Sequence, residues 1–276
     1  MKVKRSERLV DMTDYLLNRP HCLIPLTFFS KRYDSAKSSI SEDLTILKRT
    51  FQRRGIGLVE TVPGAAGGAK YIPYILKEDA DQFMDEIVTI LNNSERTLPG
   101  GYVYMSDILG DPEKLRYLGR MIATQYLNQR VDAILTVATR GIPIAQAASS
   151  YLNAPLVIAR HDTNITEGST VSVNYVSGSS KKIKRMTISK RSLQQDGNVL
   201  IVDDFIHGGG TINGLTSLIT EFNCNLVGST FFAEGAYSNN QDFGNYTSLV
   251  KMETNAAGEM LIMKGNYDEQ IFSRND

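Results

Sequence analysis

The stretch V-L-I-V-D-D-F-I-H-G-G-G-T, Val199 to Thr211, limits what this chain can fold into more than any other. Val199 to Val202 are apolar and read as a strand buried on both faces of a sheet. Adjacent carboxylates, Asp203 and Asp204, stand at its carboxyl end, followed by Phe205, Ile206 and His207. Gly208, Gly209, Gly210 and Thr211 come next, and Ile212 to Phe222 has a helical pattern. Backbone N–H groups of such glycines can turn toward an anion, the helix start adds partial positive charge, and the Thr211 hydroxyl can donate. Carboxylates repel phosphate, so Asp203 and Asp204 suit hydroxyl donors such as the 2′- and 3′-OH of a ribose. The string reads as a site for a phosphorylated sugar.

Two other glycine-loop readings fail. A Walker loop needs G-K-[ST], and this loop has no lysine; a dinucleotide fingerprint needs glycine where Asn213 stands. The three glycines alone would equally fit a plain βα turn, with the acidic pair a solvated helix start. The reading rests on the whole string.

Strands and helices alternate around it. Ala133–Val137 reads as strand, Ile142–Leu152 as helix, Pro155–Ala159 as strand, Val199–Val202 as strand, Thr211–Phe222 as helix and Leu226–Ala233 as strand. Such alternation predicts an α/β fold with a parallel sheet, helices on both faces, and ligands beyond the strand carboxyl ends. After Ala133–Val137 comes A-T-R-G-I-P. Ala138, Thr139, Arg140 and Gly141, at a helix start, could hold a second anion. Arg160, at another strand end, is a further anion-contact candidate. A long insertion, Glu167 to Arg191, reads as a hairpin. Its Lys181, Lys182, Lys184 and Arg185 suit pyrophosphate or DNA, and equally a basic edge that discourages sheet pairing. Phe243 to Asp276 reads only as short strands and a tail.

Upstream, Lys77 begins a polar connector. Phe83, Ile87 and Ile90 mark a helix ending near Asn92, and Leu98 to Tyr104 is a turn into a short strand. Leu115, Leu118, Ile122 and Tyr126 mark another helix.

The first 74 residues differ in kind. They carry 13 basic side chains against 7 acidic, a net +6 in a chain whose total is zero, so the remainder is −6. Leu9, Met12 and Leu16 mark a helix ending before Pro20, and Pro25 opens a second with Leu26, Phe28 and Phe29 on its apolar side. Ile40, Leu44, Leu47 and Phe51 form the stripe of a third, with Ser39 and Glu42 as a capping-box start and Gly55 as a stop. Its opposite face carries Ser38, Glu42, Thr45, Arg49 and Gln52, side chains suited to base edges and phosphates. Gly57–Val62 and Ala69–Ile72 then pair around P-G-A-A-G-G. Three helices and a hairpin are the order of a winged helix-turn-helix, whose third helix enters the major groove of double-stranded DNA. Candidate DNA contacts are Lys2, Lys4, Arg5, Arg8, Ser38, Ser39, Glu42, Thr45, Lys48, Arg49 and, on the wing, Lys70. A protein-interaction head with a merely solvated helix face is the alternative.

At 276 residues the chain divides into an expected DNA-binding domain, 1–74, and a larger α/β domain, 75–276. No apolar run reaches membrane-spanning length, and the N-terminus has no secretory h-region. Cys22 and Cys224 stand far apart without partner motifs, so a disulfide or zinc role is not expected and a cytoplasmic location fits. His161 and Asp162 have no metal-ligand spacing to other residues.

The Val199–Thr211 string resembles the phosphoribosyl pyrophosphate (PRPP) motif of type I phosphoribosyltransferases. In that family two acids hold the ribose hydroxyls, a small-Thr-Gly-Gly-Thr loop holds the 5′-phosphate, and a basic residue with glycine, matched by Arg140 and Gly141, holds pyrophosphate. His207 and Gly208 depart from the enzymatic loop. The chain as a whole is similar to the PurR-type purine operon regulators of Gram-positive bacteria. S-K-R-Y-D-S-A-K-S-S-I-S-E-D-L (Ser30–Leu44), V-P-G-A-A-G-G (Val62–Gly68), L-P-G-G-Y-V-Y (Leu98–Tyr104) and N-Y-V-S-G-S-S (Asn174–Ser180) carry that resemblance. It implies a homodimeric, non-enzymatic, DNA-binding regulator of purine genes with PRPP as effector, with or without Mg2+, and adds Tyr102 to the expected PRPP contacts. An active purine phosphoribosyltransferase is the alternative, and a PRPP sensor acting through protein partners a third reading.

Overall fold

A computed structural model describes residues 3–64, 67–98, 102–162, 168–177, 182–235, 245–255 and 260–272. The chain forms two compact units, Met1–Leu76 with Ser150–Asn153, and Lys77–Ser149 with Ala154–Asp276.

The first unit contains α1 (Arg5–Leu17), β1 (Ile24–Pro25), α2 (Leu26–Tyr33), α3 (Lys37–Arg53), β2 (Leu58–Val62) and β3 (Gly68–Ile72). β3 lies between β1 and β2 in an antiparallel sheet. The apolar stripe expected for α3 is buried: Ile40, Leu44, Leu47 and Phe51 pack with Met12, Leu16, Phe29 and Val59. Gly55, just past α3, takes φ +60°, a left-handed turn that glycine permits at little cost. The start of α3 differs from expectation. The helix begins at Lys37 after Ala36, so Ser39 lies inside its first turn and the Ser39–Glu42 capping box is not formed.

A buried carboxylate ties α1 to α3. Asp43 is fully buried and accepts from Arg8 Nε at 2.8 Å and Arg5 Nε at 2.9 Å. Arg8 is itself buried, so its guanidinium is an internal partner of Asp43 and is withdrawn from the expected DNA contacts. Arg5 remains half-exposed and also approaches Glu42 at 3.6 Å. Nearby, Asp11 binds Arg32 in a two-pronged pair (2.6 and 2.8 Å) and accepts from the Tyr33 hydroxyl, which holds its carboxyl down to about 2.

The second unit begins with α4 (Lys77–Leu91); Lys77 is already helical, where a connector was expected. β4 (Thr97–Leu98) and β5 (Tyr102–Val103) pair as a short antiparallel arm, followed by α5 (Ser106–Gly110) and α6 (Pro112–Gln125). Then come β6 (Ala133–Val137), α7 (Ile142–Leu152), β7 (Leu156–Ala159), the hairpin β8 (Thr170–Val176) and β9 (Ile183–Ser189), β10 (Asn198–Ile206), α8 (Gly210–Glu221), β11 (Asn225–Glu234), β12 (Thr247–Thr254) and β13 (Met260–Lys264). The main sheet runs β13-β12-β11-β10-β6-β7, parallel except for β13. The C-terminal region is thus more than short strands and a tail, since β12 and β13 extend the sheet.

β10 sits at its centre, buried from Val199 through Asp203. Val199, Ile201 and Phe231 pack on one face with Leu215, Ile219, Met186 and Tyr175, so α8 and the hairpin cover that face. Thr230, next to Phe231 and therefore pointing the other way, donates to Gln125 at the end of α6.

Asp43→Ala should destabilise the first unit by about 3–5 kcal/mol, because it strands the buried Arg8 guanidinium. Urea denaturation followed by circular dichroism measures the loss. Asp43→Asn, which keeps an acceptor oxygen, should cost less.

Candidate functional site

The acidic pair lies inside β10, not beyond it, because the strand continues to Ile206 in register with β11 (Asp203 opposite Phe231, Phe205 opposite Ala233). Successive strand residues point to opposite faces, so the two carboxylates meet different surroundings. Asp203 is buried; one of its oxygens accepts from the Asp204 amide at 3.0 Å and lies 3.4 Å from the Thr136 hydroxyl. Burial first, and the neighbouring Asp204 charge second, push its carboxyl well above the usual range. Asp204 is less enclosed and pairs with Arg140, whose Nε lies 3.1 Å away. Burial raises its carboxyl too, against the opposing Arg140 charge. Asp203 therefore serves as an internal support, and Asp204 is the carboxylate presented beside a cation.

The second loop is fitted against this support. The Ala138–Thr139 peptide is cis, and Arg140 and Gly141 follow it. A Cβ on Gly141 would overlap the Asp203 Oδ1 and the Thr136 hydroxyl, so only glycine allows this approach. The β6 loop and the β10 strand end, far apart in sequence, are locked together here. Thr136 does not stand out in the sequence; its one signal is a hydroxyl inside the otherwise apolar A-I-L-T-V.

Gly208 and Gly209 both adopt left-handed backbone, φ +66° and +64°, and Gly210 and Thr211 form the first turn of α8. The free amides of a helix start with two glycines before it make an anion cradle. Gly208 replaces a threonine of the enzymatic motif, and a β-branched residue resists the φ found here. His207 stacks on Phe205, with centroids 6.2 Å apart. Gly235 closes behind both rings, since a Cβ there would come within 2.8 Å of Phe205 Cζ and 3.0 Å of His207 Nδ1.

Two openings flank these residues. One, of about 340 Å³, is lined by Tyr102, Tyr104, Met105, Arg140, Phe205 and Met252, among others. The other, of about 200 Å³, is lined by Tyr102, Phe205, His207, Gly209, Thr211 and Phe231, among others. Tyr102 on β5 reaches both; Met252, on β12, comes from the region whose strand pattern is weakest in the sequence. Arg160 lines neither. It follows β7, and its backbone is bonded both ways to Thr187 of β9 (3.0 and 2.8 Å). Among the described residues, no group of three His, Cys, Asp or Glu side chains could hold a metal ion, and no helix is long and apolar enough to cross a membrane.

In the first unit, Ser38, Glu42, Thr45, Lys48, Arg49 and Gln52 are exposed on α3, opposite its buried stripe, while Ser39 is half-buried. Thr45 bonds back to the Ser41 carbonyl at 2.9 Å, and Lys70 on the wing is paired with Glu60 at 3.0 Å. Lys4 precedes α1, and its amide donates to Glu7 at 2.8 Å. Lys2, Lys181 and the Ala65–Ala66 tip of the wing lie outside the described residues.

A parallel sheet with an acidic pair, a glycine cradle and a facing Arg-Gly loop at its strand ends defines a phosphoribosyltransferase-type unit. Residues 106–258 match the family described as phosphoribosyl transferase domain, and residues 4–73 that described as bacterial purine repressor, N-terminal. Over 254 residues the chain is 54% identical to the purine biosynthesis transcriptional repressor PurR of Bacillus subtilis, spanning 92% of this chain and 89% of that one. It is 50% identical over 251 residues to the purine biosynthesis transcriptional activator PurR of Lactococcus lactis subsp. lactis, spanning 91% and 93%. The adenine phosphoribosyltransferase of Thermoanaerobacter pseudethanolicus shares the fold, with TM-score 0.53 and 21% identity over 60% of this chain and 98% of that one. The chain belongs to the PurR family of purine biosynthesis transcriptional regulators.

Gly141→Ala should destabilise the second unit by about 1–3 kcal/mol, since the added methyl must push Asp203 or the Arg140 loop aside. Urea denaturation followed by circular dichroism checks this.

Proposed function

We propose that this protein is a DNA-binding regulator of purine biosynthesis genes whose second unit binds PRPP as an effector and does not turn it over. The observation that carries this reading is the pairing, in one chain, of a helix with an exposed polar and basic face and a sugar-phosphate site of phosphoribosyltransferase type. In this reading α3 enters the major groove of promoter DNA, with Lys48 and Arg49 reaching phosphates and Ser38, Glu42, Thr45 and Gln52 turned to base edges. Lys4 and Arg5 add phosphate contacts at the start of α1, and Lys70 does so on the wing where Glu60 leaves its charge available. Two copies would present two such helices to half-sites on one DNA face, the usual geometry of a homodimer; light scattering tests the dimer.

In the second unit the cradle Gly208–Thr211 takes the 5′-phosphate and Asp204 accepts the ribose hydroxyls. Arg140 and the backbone of Ala138, Thr139 and Gly141 take the pyrophosphate, with Tyr102 and Phe205 beside it. Two carboxylates without a third ligand suit a Mg2+ that arrives on the pyrophosphate better than one bound by protein alone. The location fitting this role is the cytoplasm. Relatives named repressor and activator share this organisation, so the direction of regulation is not carried by the family.

Gel-shift titration of purine-gene promoter DNA, with and without PRPP, tests the whole reading. Asp204→Asn should abolish the PRPP response and leave basal DNA affinity within about twofold. Nucleotide formation at enzymatic rates from PRPP and any purine base would overturn the non-enzymatic reading. Lys48→Ala or Arg49→Ala should reduce the slope of log affinity against log salt by about 0.9 for each phosphate no longer neutralised. An unchanged slope would remove that residue from the DNA face.

A further inference from the structure

Asp43 divides its two carboxylate oxygens between two arginines. Oδ2 accepts from Arg8 Nε at 2.8 Å, and Arg8 Nη2 lies 2.8 Å from the same oxygen. Arg8 Nη1 donates to the Val3 carbonyl at 3.3 Å, just ahead of α1. Oδ1 accepts from Arg5 Nε at 2.9 Å. Asp43 and Arg8 are both buried, so their pair fixes where the second oxygen, Oδ1, stands. The Arg5 side chain is 51% exposed. With Nε committed to Asp43, its Nη1 and Nη2 remain as donors. Glu42 Oε2, 3.6 Å from Nη2, is too distant to take a hydrogen bond from it.

Two N–H groups on one edge of a guanidinium match two oxygens of a phosphate. A guanidinium already held by its third nitrogen does not have to be ordered when the phosphate arrives, which saves binding free energy. Asp43 also belongs to α3, so the arginine it holds is registered against the helix whose exposed side chains are turned to base edges. Phosphate contacts set the register in which base contacts are made. We propose that Asp43 is a positioning residue for DNA binding: locked by Arg8, it fixes the Arg5 guanidinium as a two-pronged clamp on a backbone phosphate beside α3. The inference rests on the DNA-binding reading given above and adds an internal residue to it. Arg8, withdrawn from the DNA surface, then acts one step behind it.

The test is a double-mutant cycle on the full-length protein, read by fluorescence anisotropy of purine-gene promoter DNA over a salt series. Asp43→Asn removes a negative charge and keeps one acceptor oxygen, which the buried Arg8 retains while Arg5 loses its own. By charge alone this variant should bind DNA more tightly. Positioning predicts the opposite sign, binding weaker by about 5–20-fold, the order of one charge-assisted hydrogen bond. Arg5→Lys keeps the charge but cannot bond Asp43 and fork a phosphate at once. It should weaken binding by a similar factor and leave the slope of log affinity against log salt unchanged. Added to Arg5→Lys, Asp43→Asn should cost nothing further, because its action passes through the absent guanidinium. Circular dichroism checks the fold of each variant, and if Asp43→Asn does not fold, Arg5→Lys decides alone. Wild-type affinity in Arg5→Lys overturns the proposal and leaves the DNA-binding reading standing. Equal or tighter binding by a folded Asp43→Asn does the same, as does an additive double mutant. A wild-type protein that does not bind the promoter DNA overturns that reading and the proposal with it.

Discussion

Placing two carboxylates side by side with one removed from water is expensive, and much of the second unit can be read as the arrangement that holds them. Burial raises Asp203 and Asp204 alike, and Asp203 suffers its neighbour's charge in addition. The Asp204 amide supports Asp203 from within the strand, and the Thr136 hydroxyl lies alongside. Gly141 gives up its side chain so that the loop carrying Arg140 can close over the pair. Arg140 in turn leans on Asp204 and lowers the cost of its charge. Replacing any one of these groups changes the setting of the others. The ends of β6 and β10 meet at this pair within a parallel sheet.

Legibility in the sequence followed the physics of each feature. The buried strands Ala133–Val137 and Val199–Val202 and the helix Ile142–Leu152 were readable because continuous apolar runs and helical spacing are local signals. The glycine cradle was readable because left-handed backbone selects glycine. Long-range partnerships left no local mark. Arg8 looks like one of several basic residues in a charged N-terminus, and only its meeting with Asp43, 35 positions away, reveals an internal pair. Ser39 carried a local capping signal that the helix bypassed by taking Ala36 as its cap and starting at Lys37. Asp203 and Asp204 read as equals in sequence; pleating alone separates support from presenter.

The same distinction alters the meaning of the basic head. Its +6 excess suggests a broadly positive surface, yet Arg8 is consumed by Asp43, Arg32 by Asp11, and Lys70 is shared with Glu60. What remains available is concentrated on α3 and beside the start of α1. A charge census overstates the surface and understates its focus. Focused charge on one helix face is what a groove-reading element needs, because phosphate contacts fix register while neighbouring polar groups read bases.

On the proposed reading, PRPP can change DNA affinity only by favouring one arrangement of the protein over another, and the coupling must be reciprocal. Two routes differ in what they allow. A ligand that opposes DNA through its own negative charge can only antagonise binding. A ligand that draws the Arg140 loop toward the cradle changes the protein's shape, and that route permits either sign. Relatives sharing this architecture at similar identity are named repressor in one organism and activator in another. That difference leaves the ligand's direct charge a poor candidate for the sole determinant, since the same site would have to serve both. The closing elements around the acidic pair are the better place to look, and they make that pair an input to regulation built on the frame of a reaction centre.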